Sequence, residues 1–237
     1  LFEARGEIFT VPTDKGDARN LTRSSGVADR APVWSPDGRQ VAWFADSGSG
    51  YRLMIADADG LGAPRAVSIG DARMAWSPAW SPDGAHIAFV DDRVRLRVLT
   101  LATGRIVVAD TGGAASDRGS MRPQWSPDSR WLAYAKTFPN NFSRVMVWSL
   151  ADGRRHAITD ALASAAEPVW DRNGKWLYFL ASTDLGVQSG WADLGSLTRT
   201  STSGVYVALL RADEPTPFTP ESDEEAAARL IGSAPGG

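Results

Sequence analysis

Apolar residues in this chain gather into strand-length runs, each closed by a polar turn rich in Gly, Asp, Ser and Pro. One combination of run and turn repeats. "PVWSPDGRQVAWF" begins at Pro32, "PAWSPDGAHIAFV" at Pro78, "PQWSPDSRWLAYA" at Pro123 and "PVWDRNGKWLYFL" at Pro168. The tryptophans Trp34, Trp80, Trp125 and Trp170 recur every 45 or 46 residues. A fixed period of that length marks a solenoid or a propeller, with one supersecondary module per unit. A catalytic motif is normally used once per domain, so four evenly spaced copies read as architecture.

The middle of each copy predicts a hairpin turn. In Ser35-Pro36-Asp37-Gly38 the proline presets the backbone angle of the second turn position, Asp tolerates the third, and Gly accepts a positive φ at the fourth. Asp83 and Asp128 repeat the acidic position. The third copy replaces the Gly with Ser129, and the fourth reads Asp171-Arg172-Asn173-Gly174, whose Asn-Gly is itself a hairpin signal.

The second strand of each hairpin keeps one grammar. Seven residues after the Trp stands an aliphatic: Val41, Ile87, Leu132, Leu177. Nine after stands an aromatic: Trp43, Phe89, Tyr134, Phe179. Between them lies Ala42, Ala88, Ala133 or, exceptionally, Tyr178. Strand side chains alternate, so one face is bulky and the other mostly small, yet both are apolar. That suits a strand buried between two neighbouring sheets. Proline cannot donate to a sheet ladder and belongs on an edge strand. Pro32, Pro78, Pro123 and Pro168 are therefore expected on the edge that faces a propeller's central channel.

Weaker runs follow each hairpin: "YRLMIADADG", "RLRVLTLATG", "RVMVWSLADG" and "GVYVALLRAD", each leading to a short outer run such as "PRAVSI" or, last, "TPFT" at 216–219. The predicted fold is all-β, a β-propeller of four-stranded antiparallel blades. Residues 1–22 read as a half blade, with "LFEA" ending a second strand and "GEIFTVPTDKGDARNLT" completing the unit. Blades are expected at about 28–70, 75–110, 120–160 and 165–219. That makes a partial ring of about four and a half blades, with exposed sheet edges through which copies could associate. Residues 182–204 form a Gly/Ser/Thr-rich connection that reads as a surface flap rather than a partner-binding loop. Residues 221–237 read as an acidic helix start, with Ser222 three before Glu225, and then a linker.

Composition narrows the chemistry. At 237 residues the chain can bury a large β core, and a net charge of −3 offers no electrostatic case for nucleic acid. The repeat tryptophans are expected in the core, because aromatics dominate buried area. There is no cysteine, hence no disulfide framework or thiolate metal site. No apolar run reaches the ~20 residues of a membrane span. No signal peptide is visible, so the expected location is the cytoplasm, or the periplasm if a signal once preceded residue 1. His86 and His156 occupy repeat slots filled elsewhere by other residues and pair with no nucleophile. "DADG" at 57–60 lacks the further ligands of a calcium loop and reads as a turn. No nucleophile elbow, zinc-binding helix motif or phosphate loop occurs. No catalytic residue, metal or cofactor is expected.

The Trp-Ser-Pro-Asp-Gly hairpins resemble the TolB-like, PD40-type propeller repeats shared by TolB, the propellers of prolyl-oligopeptidase-like enzymes and tricorn protease. More specifically, "FEARGEIFTVPTDKGDARNLTRSSGVADRAPVWSPDG" resembles the opening of the second, seven-bladed propeller of bacterial tricorn protease homologues. The segment at 182–204 and "GVYVALLRADEPTPF" are similar to that propeller's end, so the resemblance covers about residues 1–220. It implies a non-catalytic domain of a large serine peptidase that cuts short peptides, in which propellers filter and channel peptides toward a separate catalytic domain. Peptides and the other domains of the parent are the implied partners. A TolB-like interaction scaffold with no protease parent is the alternative. A prolyl-oligopeptidase-like propeller would lead into a Gly-x-Ser-x-Gly hydrolase domain, a junction that the acidic, Ala-rich tail does not resemble.

Overall fold

Each Trp motif folds as the hairpin its turn chemistry demands. In the computed structural model, which describes residues 1–46, 48, 50–182 and 202–218, Gly38 N donates to Ser35 O at 2.9 Å and Ser35 N to Gln40 O at 2.8 Å. The pattern recurs at Gly84, Ser129 and Gly174, which donate to Ser81, Ser126 and Asp171. The acidic or amide residue works within the turn. Asp37, Asp83, Asp128 and Asn173 accept the N–H two residues on, from Arg39, Ala85, Arg130 and Lys175. In the first three turns the serine hydroxyl donates to that carboxylate and accepts the N–H five residues on.

The hairpins build five antiparallel sheets in chain order. The first sheet is β1 (Phe2–Ala4), β2 (Glu7–Thr10) and β3 (Arg19–Asn20). The second is β4 (Ala28–Trp34), β5 (Gln40–Asp46), β6 (Tyr51–Asp57) and β7 (Arg65–Val67). The third is β8 (Ala75–Trp80), β9 (His86–Asp91), β10 (Arg95–Thr100) and β11 (Ile106–Thr111). A one-turn helix not expected from the pattern, α1 (Asp117–Ser120), precedes the fourth sheet. That sheet is β12 (Gln124–Trp125), β13 (Trp131–Thr137), β14 (Ser143–Ser149) and β15 (Arg155–Ala157). The fifth is β16 (Ser164–Trp170), β17 (Trp176–Ser182) and β18 (Gly204–Leu209). This is a partial β-propeller.

Among the described residues one expected strand is not there. Of "TPFT", Pro217 and Phe218 lie in a turn and Thr216 in no strand. Pro215 and Pro217 have no N–H to give that strand. Most of the Gly/Ser/Thr-rich connection at 182–204 and all of 221–237 lie outside the described residues.

Four apolar clusters hold the sheets together, and each joins one sheet to the next. Val41 and Trp43 meet Ile8 and Leu21 of the first sheet. Ile87 and Phe89 meet Ala42, Phe44 and Leu53. Leu132 and Tyr134 meet Ala88, Val90 and Val98. Leu177 and Phe179 meet Ala133 and Val147. The aliphatic-plus-aromatic face of every blade thus packs on the alternate face of its predecessor. Each such side chain is worth roughly 1.5–3 kcal/mol on full burial, so the seams between blades form the core.

Candidate interaction surface

The strands β4, β8, β12 and β16 are each the edge of their sheet, and consecutive ones touch, which makes them the inner wall of an arc. Pro32, Pro78 and Pro168 lie within β4, β8 and β16, and Pro123 immediately precedes β12. The bare alternation of residues did not reveal the accompanying kink. The residue before the proline is left-handed in three blades: Ala31 at φ 51°, Ser77 at 52° and Glu167 at 50°. The pairing register slips at the same places, between Arg30 and Val33, Trp76 and Ala79, and Ala166 and Val169. Proline removes a ladder donor and the bulge turns the edge aside, so the wall is a poor template for an added strand.

The repeat tryptophans stitch neighbouring blades along this wall. Trp125 Nε1 donates to Ala79 O at 3.0 Å, and Trp170 Nε1 to Gln124 O at 2.9 Å. Each crosses to the carbonyl just before the previous blade's Trp. Trp80 instead donates to Gly84 O of its own turn at 3.1 Å. Against the expectation of four core indoles, only Trp125 is buried, at 8% exposure, while Trp34 is 40% exposed.

Two clefts open at the seams. One, of about 480 Å³, gathers Pro78, Trp80, Pro123 and Trp125 beside Val33 and Arg122. The other, of about 650 Å³, lies between the fourth and fifth sheets and is lined by Asp128, Trp131, His156, Trp170, Asn173 and Arg211. Pro32, Trp34, Asp37, Asp83 and Pro168 line neither. His156 sits edge-on to Trp131 in the larger cleft, and His86 stacks on Trp125 with Nδ1 3.2 Å from Thr100 Oγ1.

Carboxylates tie strands, loops and neighbouring sheets together, and these contacts the sequence pattern concealed. Asp110, at the end of the third sheet, accepts Tyr134 OH at 2.7 Å and Lys136 Nζ at 2.9 Å from the fourth. Burial, then the Asp110 charge and hydrogen bond, push the Tyr134 hydroxyl pKa far up, so it stays a donor. Asp91 holds Arg95 at 2.7 Å, and Arg95 and Arg97 both reach Asp71, at 2.9 Å each. The hydrogen bond from Arg95, then the charges of Arg95 and Arg97, lower the Asp71 pKa to about 2. Among the described residues no group of three or more His, Asp or Glu side chains could hold a metal. No helix among them is long and apolar enough to cross a membrane.

Radially stacked antiparallel sheets with inner edges exposed define a β-propeller arc. The likeness to solved structures agrees. The crystal structure of the tricorn protease aligns with 93% of this chain and 22% of its own at a TM-score of 0.73 and 18% identity. TolB from Acinetobacter baumannii aligns with 86% of this chain and 48% of its own at a TM-score of 0.58 and 15% identity. The chain belongs to the family of tricorn protease second beta propeller domains, whose model matches residues 1–230. Among curated relatives, tricorn protease homolog 1 of Streptomyces coelicolor (strain ATCC BAA-471 / A3(2) / M145) is 25% identical over 225 residues. That match takes in 92% of this chain and 20% of the relative, so the chain spans about a fifth of that relative's length.

Proposed function

We propose that this chain is a non-catalytic propeller domain of a tricorn-like serine peptidase, guiding or filtering peptide access to a catalytic domain elsewhere in the parent. The observation that carries the reading is the family match across residues 1–230. The inner wall supports it. Four successive edge strands lie side by side, and in three of them proline and bulge disfavour capture of an extended chain as an extra strand. Such a wall lets a peptide slide where an ordinary edge would hold it. Peptides and the other domains of the parent are the partners this role requires, and the cytoplasm is the compartment we assign.

Two measurements test the role. Incubated with fluorogenic peptides, the isolated chain gives no turnover that a serine-directed inhibitor abolishes; such turnover would remove the non-catalytic assignment. On this assignment, the reading frame that encodes the chain should continue into a PDZ-like and a peptidase region. A frame that encodes only a TolB-like scaffold would sink the protease parent.

A further inference from the structure

The smaller cleft on the wall of edge strands lies away from both ends of the chain, between the second, third and fourth sheets. Its volume of about 480 Å³ falls within the roughly 300–1,000 Å³ of clefts that hold ligands. Flat rings make up most of its surface: the indoles of Trp80 and Trp125 and the pyrrolidines of Pro78, Pro82 and Pro123. Both indole N–H groups are already engaged. Trp80 Nε1 donates to Gly84 O at 3.1 Å and Trp125 Nε1 to Ala79 O at 3.0 Å. These bonds hold the rings in place before anything binds, and the rings offer an incoming group carbon surface but no donor.

The backbone at the cleft is a poor partner for a chain. Ser77 stands at φ 52° and the register slips between Trp76 and Ala79, so β8 presents a bulge there rather than a regular ladder. Recognition falls to side chains, and two polar ones lie beside the rings. Arg122 is the one charged residue that lines the cleft among the described residues. Its side chain is 62% exposed and meets Glu167 at 3.4 Å, in an exposed pair of the kind that contributes little. The Gln124 side chain is exposed beside it, and among the described residues its amide has no hydrogen-bond partner.

We propose that this cleft takes one aromatic side chain of a passing peptide, next to an acidic residue whose carboxylate pairs with Arg122. The inference deepens the peptide-guiding role and rests on it. Shape selects the ring, because a planar group can stack offset or edge-on against an indole and fill the space beside the prolines. Charge complementarity selects the neighbour, because a guanidinium takes a carboxylate through two parallel hydrogen bonds. The Gln124 amide carries both donors and an acceptor, which match the peptide group between the two residues. The peptide is thus read by its side chains and not held by a ladder.

Three blocked hexapeptides test the proposal: Gly-Ser-Phe-Asp-Ser-Gly, the same with Ser for Phe, and the same with Lys for Asp. Each is titrated into the isotope-labelled chain and followed by NMR. The Phe-Asp peptide should shift the indole N–H signals of Trp80 and Trp125 and the side-chain amide of Gln124. Trp43, buried in the seam between the first and second sheets, should not move. Loss of the ring should weaken binding about tenfold. Lys for Asp should weaken it about threefold. Arg122→Glu, at an exposed position, should keep the circular dichroism melt and reverse the order of the Asp and Lys peptides. Equal binding with and without the ring, shifts confined to other indoles, or an Arg122→Glu chain that keeps the original order would each overturn the proposal and leave peptide guidance standing. A chain to which none of the three peptides binds would overturn both.

Discussion

Ser129 holds at φ 61° the left-handed conformation that Gly38, Gly84 and Gly174 take at the matching place in the other three hairpins. A side chain costs about 1–2 kcal/mol there. The offset is visible: Ser129 Oγ accepts the Asp83 N–H at 3.0 Å, joining the turns of the third and fourth sheets. No comparable turn-to-turn bond can form at Gly174, which lacks a hydroxyl, and the larger cleft opens beside it. Ser129→Ala keeps the strain and loses the bond, so it should destabilise by about 1 kcal/mol and lower Tm by roughly 2–4 °C. Ser129→Gly loses both and should melt near the unaltered chain. Thermal scans of the two variants side by side check the account, and an Ala variant that melts no lower than the Gly variant would contradict it.

At the scale of elements, stability resides in the seams, and polar groups tune them. The loop after the second sheet is fastened to the third by Asp71, through Arg93, Arg95 and Arg97. Its pKa, held near 2 chiefly by the Arg95 hydrogen bond, lies below the ordinary 3.8. A carboxylate depressed on folding adds stability above its unfolded pKa and loses it as pH falls through the folded one. Hydrogen bonds from Ser35 and Thr22 likewise depress Asp37 and Glu7. The urea midpoint should therefore hold steady above pH ~5 and fall between pH ~5 and ~2. Asp71→Asn should flatten part of that fall, and an unchanged pH profile in this variant would show that the cluster adds nothing.

Across the described residues, the apolar clusters each join one sheet to the next, so stability is close to a sum of nearest-neighbour terms. Among these residues the first and fifth sheets share one such cluster each and the other three share two. Amides of β2 and β18 should exchange with solvent about tenfold or more faster than those of β9, β10 and β13, a gap of ~1.4 kcal/mol in opening free energy. Native-state hydrogen exchange measures this directly. Uniform protection across the five sheets would mean that the arc opens as a single cooperative unit.

The residue string by itself determined the blade: its period, its turns, and which strand positions carry bulk. Those features are local, because a turn needs its Pro, Asp and Gly within four residues and a strand alternates with period two. That Pro32, Pro78 and Pro168 fall in edge strands was also readable, since a missing N–H restricts where a strand can sit. The tertiary structure alone decided the rest. It showed that Trp125 and Trp170 cross to the previous blade while Trp80 turns back and Trp34 stays exposed. It also brought Asp110 to Tyr134 and Asp71 to Arg95. Such partners lie about half a repeat or more apart along the chain, and only the stacking of one sheet on the next settles which of them meet.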